Sequence, residues 1–306
     1  MTSSFDEFSA SASGDIARDL AELRVFLTTN VLREFESFYG LGSKHRSYLD
    51  STIDRWFDDS TNYDGRWSLF DSRLPKVGKV LDMSSGCGTF VIHGLRNGRD
   101  VWGIEPEDWK REYFQRKLAL LGMPPETSTR VSKSFGEQLP FGDETFDVAT
   151  SYQTIEHVTN VAACVDELLR VVKCGGVVHL SAPDYNSFFE PHYRVPFLPT
   201  MNKSLAGAYL SLLGRPRKGL QYLNWVTERS VMALLDRSPH KNHCERLSQA
   251  GEGAIRDKIL NRLPVPLRIE TIVQAVRAAQ KIRQSTKRLF QFGPLDGSID
   301  LWIVKG

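Results

Sequence analysis

Cysteine is scarce in this chain. The four present, Cys87, Cys164, Cys174 and Cys244, form no C-x-x-C pair, which argues against a zinc knuckle or a disulfide framework and fits a reducing compartment. Long apolar runs are missing as well: no stretch reaches the roughly 20 residues that cross a bilayer. The start, MTSSFDEFSASASGD, is polar and acidic, without the pattern of a secretory signal or a transit peptide. A cytoplasmic protein is expected, with peripheral membrane contact as an option. Neither sign of charge dominates, since 39 Lys and Arg face 37 Asp and Glu. A pI near 8.3 is too mild to argue for a nucleic-acid partner.

What is present is an ordinary globular composition, with 306 residues, 41% hydrophobic and 25% charged. That allows one substantial core and a smaller accessory region. The chain is organised around VLDMSSGCGTF, Val80 to Phe90. An apolar run ends in Asp82, passes the small residues Ser84, Ser85, Gly86 and Gly88, and continues as a helix-like segment, so it reads as strand, tight turn, helix. Gly86 and Gly88 let the backbone bend and a ligand approach, and the next helix offers its N-terminal amides. A dinucleotide loop wants G-x-G-x-x-G; here Ser84 and Phe90 depart from it, and Asp82 suits a ligand carrying an ammonium group. Ser84 is awkward if its backbone needs positive φ.

Downstream, strands expected at 78–83, 100–105, 129–134, 146–151 and 175–182 alternate with helices. Those are expected from Gly88 to Arg96, from Glu107 to Gly122, and from Val161 to Lys173 with a stop at Gly175-Gly176. This alternation predicts an α/β, doubly wound, mostly parallel sheet. Two amphipathic helices, 15–39 and 44–58, precede it and form either a lid or core packing. Tyr63 and Trp67 fall in the connection. After Asp184 come an aromatic, proline-rich loop, helices near 201–213 and 227–236, a short strand at 243–247, further helical sequence to Phe290 and a last strand at 298–304. In an open sheet of this kind, ligands bind beyond the carboxyl ends of the strands. Glu105, 23 positions after Asp82, stands where a carboxylate meets ribose hydroxyls.

The Asp82–Gly88 turn resembles motif I, D-x-G-x-G-x-G, of the class I S-adenosylmethionine-dependent methyltransferases. SFGEQLPFGDETFDVATSYQTIEHV, residues 134–158, resembles the family's A-E-x-L-P-F-x-D-x-S-F-D and L-E-H-V motifs, and LLRVVKCGGVVHLSAPD completes the match over about 76–184. The likeness is to methyltransferases of the type 11/12 group, similar to small-molecule O-methyltransferases. It implies a Rossmann-like seven-stranded fold and S-adenosyl-L-methionine as cofactor. The cofactor set would be Asp82, Ser84, Gly86, Gly88, Glu105, Gly136, Glu137, Gln138 and Gln153, with Gly136, Glu137 and Gln138 lining the adenine. Phe135 replaces the usual aspartate there and could stack instead. The implied organisation is a helical extension at 1–75, the cofactor core at 76–184, a helical, basic acceptor-side insertion at 185–297 after the fifth strand, and a final strand at 298–306.

Methyl transfer needs an acceptor held in line and a group to take its proton. His157 and His192 are the two candidates, with Glu190 as a partner that sets a tautomer; the alternative for each histidine is a structural role. Some methyltransferases hold a divalent metal through E-x-x-E-H, but Gln153 breaks that spacing here, so no metal is expected. The expected reaction is methylation of a small-molecule or glycan-like acceptor at a hydroxyl oxygen. RNA methylation and a cofactor-binding scaffold without transfer are the alternatives. Residues 201–290 hold 17 Lys and Arg against 6 Asp and Glu, and a basic amphipathic helix is expected at 267–290. Its cationic face would meet solvent, an anionic membrane or a phosphorylated acceptor.

Overall fold

The computed structural model describes residues 14–58, 63–240, 244–247 and 297–306. Three helices open the chain: α1 (Gly14–Tyr39), α2 (Arg46–Phe57) and α3 (Tyr63–Arg73). The alternating region follows as β1 (Lys79–Met83), α4 (Thr89–Arg96), β2 (Asp100–Ile104), α5 (Asp108–Leu120), β3 (Val131–Ser132), β4 (Phe146–Tyr152), α6 (Val161–Val171) and β5 (Val172–Pro183). Then come a small hairpin, β6 (Phe189–Glu190) and β7 (Val195–Pro196), helices α7 (Lys203–Leu212) and α8 (Glu228–Leu235), and strands β8 (Cys244–Leu247) and β9 (Ser298–Lys305). Local chemistry sets several of these ends: the Asn160 and Asn202 side chains cap α6 and α7, and Thr227 with Ser230 forms a capping box on α8.

The main sheet has seven strands in the order β3-β2-β1-β4-β5-β9-β8. Strands β1 to β5 pair in parallel, while β9 runs antiparallel to both β5 and β8. The expected mostly parallel, Rossmann-like sheet is therefore present. Alternation along β1 divides the core between two faces. Leu81 and Met83 join Val178 and Leu180 under α6 and α8. Val80 joins Val101, Val148 and Trp302 under α4 and the Trp67 and Phe70 rings of α3. A third cluster unites Tyr39 and Leu49 with Tyr193, Val195, Phe197 and Leu210 of the region after β5. In a fourth, Leu27, Val31 and Ile53 of α1 and α2 cover Cys87 and Tyr113. The first two helices thus pack against Cys87 of the glycine loop.

Three local readings change. Gly175-Gly176 is not a helix stop: α6 ends at Val171, and the glycines lie inside β5 at a bulge where pairing jumps from Phe146↔Val172 to Val148↔Val177. Gly175 has φ +76°, and a Cβ on Gly176 would lie 2.8 Å from the Asp147 carbonyl oxygen, so the kink needs both glycines. The third strand shrinks to two residues because a 3-10 turn occupies Pro125–Arg130. Tyr63 and Trp67 sit in α3, which packs on α4 through the stacked Trp67 and Phe90 rings (4.8 Å) and on β9 through the edge-on Phe70 and Trp302 rings (5.8 Å). The basic helix expected at 267–290 lies outside the described residues.

Candidate active site

The strand order reverses between β1 and β4, and the crevice at their carboxyl ends is where such sheets bind ligands. On the β1 side, Ser84, Gly86 and Gly88 have φ of +59°, +58° and +73°. Gly88 is also sterically required, since a Cβ there would stand 2.2 Å from the Phe114 ring. Gly86 is the opposite case: a Cβ on it would meet nothing within 4 Å, so the loop presents bare backbone to open space. Glu105, buried at the end of β2, accepts hydrogen bonds from the amides of Gly86 (2.8 Å) and Glu107 (3.0 Å). Burial raises its carboxyl, and the Lys110 cation opposes the rise.

Asp82 is not a free carboxylate. The guanidinium of Arg66, on α3, donates to its Oδ1 at 2.9 Å and to Thr150 Oγ1 at 2.9 Å, and lies 4.0 Å from the Phe90 ring centre. The expected pairing of Asp82 with a ligand ammonium is therefore revised: its charge is already met inside the protein. Arg66 was missed because α3 was read as a connection, although apolar Trp67 and Phe70 at its buried face signalled a helix. The Asp82 line continues across the sheet as Thr150 Oγ1···His179 Nδ1 (3.4 Å) and His179 Nε2···Asp300 Oδ1 (2.8 Å).

Beyond β3, Phe135 is 63% exposed. A Cβ on Gly136 would press on Met83 Sδ at 2.7 Å. Glu137 turns away to accept from the amides of Thr159 (2.7 Å) and Asn160 (3.1 Å), and exposed Gln138 closes a turn onto the Phe135 carbonyl (3.2 Å). Gln153, exposed with φ +55°, starts the turn after β4. Thr154 in that turn reaches the Met83 carbonyl at 3.5 Å, which sets Glu156 and His157 beside the end of β1.

The β6–β7 hairpin brings the remaining candidates together. His192 Nε2 lies 3.1 Å from His157 Nε2, and its Nδ1 lies 2.8 Å from Glu190 Oε1. Glu190 is fully buried and also accepts from Tyr185 Oη (3.1 Å) and the Tyr193 amide. Burial alone would lower His192, but the hydrogen bond and charge of Glu190 raise it. Burial and the neighbouring His192 hold His157 down. Glu156, absent from the expected site, is fully buried, with Oε1 3.9 Å from Nε2 of each histidine; burial pushes its carboxyl up to about 7. The E-H pair in the sequence was the signal that could have included it.

Residues 81–180 match the family model described as a methyltransferase domain. This match, over about a third of the chain, supports a class I S-adenosylmethionine-dependent methyltransferase domain. It is 32% identical over 115 residues to an uncharacterized methyltransferase of Mycobacterium sp. strain KMS, covering 38% of this chain and 42% of that one. It is 37% identical over 108 residues to one of Mycobacterium leprae, covering 35% and 38%. An uncharacterized protein of Mycobacterium tuberculosis aligns over 224 residues at 24% identity, 69% of this chain and 73% of its own. The chain thus spans about 40% of the length of the first two relatives.

The cofactor of the matched domain is S-adenosylmethionine, and the crevice fits it. The open space at Gly86 admits a ligand against the backbone, and each Glu105 oxygen keeps a lone pair for a ribose hydroxyl beyond the amide it accepts.

Proposed function

We propose that the protein transfers a methyl group from S-adenosylmethionine to a hydroxyl oxygen of a small-molecule or glycan-like acceptor. The observation that carries this reading is the His157–His192–Glu190 chain beside the cofactor crevice. When bound, the cofactor supplies an electrophilic methyl group on a sulfonium. A hydroxyl attacks it poorly until its proton is removed. Glu190 fixes the His192 ring through Nδ1, which leaves Nε2 facing the crevice residue His157 as the basic atom of the pair. Incubation with methyl-labelled cofactor and fractionated cell extract tests the proposal. Label in a small-molecule or glycan fraction supports it, label in RNA would replace the acceptor class, and no label in any fraction would leave a cofactor-binding scaffold.

The acceptor is further proposed to sit at an anionic lipid surface. On α7, Leu205, Ala208 and Leu212 form one exposed stripe at helical spacing, extended by Leu213; Leu212 is 85% exposed. Residues 201–222 contain Lys203, Arg215, Arg217 and Lys218 and no Asp or Glu. Exposed leucines flanked by cations alone suit the boundary between acyl chains and anionic headgroups. No described helix is long and apolar enough to cross a membrane, so this would be contact from one side.

A further inference from the structure

Proton transfer does not account for Glu156. Its carboxylate is fully buried, and apart from its own amide neither oxygen has a hydrogen-bond partner among the described residues. A buried carboxylate in that condition is costly unless a cation meets it. It points at the two histidines, whose Nε2 atoms lie at equal distance from its Oε1. His192 Nδ1 is held by Glu190, and His157 hydrogen-bonds the Tyr222 backbone. With His192 Nδ1 engaged, the two Nε2 atoms face one another across 3.1 Å, and where both are unprotonated their lone pairs converge. Carboxylate or carbonyl behind an imidazole is the usual way metal-binding histidines are oriented.

The geometry points to a site for one divalent transition-metal ion, of the zinc, manganese or iron(II) class, held by Glu156 Oε1, His157 Nε2 and His192 Nε2. The three donor atoms are separated by 3.1, 3.9 and 3.9 Å. The circle through them has a radius of about 2.1 Å, which matches the metal–nitrogen and metal–oxygen distances of such ions. Two imidazoles and one carboxylate also form a donor set these metals take, with positions left open. Gln153 does not remove the site, because the third ligand is His192 from the hairpin, which the E-x-x-E-H spacing does not contain. The proposed site departs from the metal-free expectation.

This inference deepens the proposed reading and rests on it only for what the ion does. A hydroxyl entering the open side of the site loses its proton to solvent more readily. Its oxygen then forms the new carbon–oxygen bond as the carbon–sulfur bond breaks and sulfur leaves as a neutral thioether. In a metal-bound form His157 and His192 would act as ligands in place of bases, and the ion would supply the acidity at the acceptor hydroxyl.

The test is metal binding by the full chain, with no acceptor present. Chelator-stripped protein is titrated with Co²⁺, read by its visible d–d bands and by metal-shifted imidazole N–H resonances. One equivalent should bind, with two shifted resonances. His157→Asn, His192→Asn and Glu156→Gln should each weaken binding at least tenfold, and Glu190→Gln about 10- to 100-fold as the outer partner. Cys174→Ser, at an exposed cysteine outside the cluster, should change nothing. Absence of bands in the wild type, or wild-type affinity in both histidine variants, overturns the site. Where a variant fails to fold, the wild-type resonances decide: two support it and none overturns it. Co²⁺ binding without transfer to any fraction would instead remove the proposed activity and leave the metal site standing.

Discussion

Arg66 and Asp82 form a nearly buried ion pair, 2.9 Å apart, with side chains 12% and 7% exposed. It ties α3 of the extension to the strand that carries the cofactor loop. Burial raises the Asp82 carboxyl and Arg66 opposes the rise. Removing one partner of such a pair strands a charge and costs about 3–5 kcal/mol, whereas neutralising both costs much less. Arg66→Met should therefore unfold at markedly lower urea than wild type, and Arg66→Met with Asp82→Asn should recover a large part of the loss. Additive effects in the double variant would show that the pair does not hold α3 in place.

Ser84 carries its side chain at φ +59°, a conformation that costs a residue with Cβ about 1–2 kcal/mol. Glycine relieves that strain but adds freedom to the unfolded chain, worth about 0.4–1 kcal/mol in the other direction. Ser84→Gly should thus stabilise the protein by roughly 0.5–1 kcal/mol, read from the urea midpoint. A loss of stability would mean that the serine hydroxyl makes a contact worth more than the strain.

Glu105 stands against the glycine loop, where it can accept ribose hydroxyls. Glu105→Ala should weaken binding of S-adenosylhomocysteine by about 1.5–3 kcal/mol, the scale of hydrogen bonds to a charged group. Calorimetry measures this directly. Unchanged affinity would remove Glu105 from the cofactor site.

Most of the α/β core was legible because each element there carries its own punctuation. Asn97-Gly98 ends α4 and Gly122 ends α5, with Gly98 and Gly122 at φ +70° and +61°. What was not legible depended on tertiary pairing. Gly175-Gly176 looks like a helix stop in one dimension, and only the jump in register with β4 makes it a bulge. Asp82 was read as a ligand because Arg66, 16 positions earlier, becomes its partner only when α3 docks on Phe90. His157 and His192 were chosen separately from two loops. The β6–β7 hairpin, too short for a pattern to announce, turns them and Glu156 into one cluster.

His179 supplies a pH dependence of stability. Burial lowers its pKa although the Asp300 hydrogen bond works against it, and the bond from His179 lowers Asp300 below 3.8. A histidine depressed in the fold contributes stability that is full above its unfolded value, about 6.5. That contribution is lost as pH falls through the folded value, because the unfolded chain takes the proton first. Asp300 adds a second loss of the same sign below 3.8. The wild type should therefore exceed His179→Gln in thermal stability at pH 7.5, with the gap narrowing toward pH 5. A gap independent of pH would assign the whole effect to the lost ring stacking on Trp302, 4.0 Å away.

The lipid-surface reading makes a prediction that separates apolar insertion from charge attraction. Exposed Leu205 and Leu212 on α7 would enter the acyl boundary, while Arg217 and Lys218 follow in the basic turn. Each cation near an anionic membrane contributes about 1 kcal/mol, and that part fades as added salt shortens the Debye length from about 10 Å at 0.1 M to about 3 Å at 1 M. Sedimentation should show binding to phosphatidylcholine vesicles containing phosphatidylglycerol and little to phosphatidylcholine alone. Arg217→Gln with Lys218→Gln should flatten the salt dependence, and Leu205→Gln with Leu212→Gln should weaken binding at every salt concentration. A third variant changes Lys281, Arg283, Lys287 and Arg288 to Gln; if it alone loses binding, the contact belongs to 267–290 and not to α7. Equal binding to both vesicle types would refute an anionic surface as the partner.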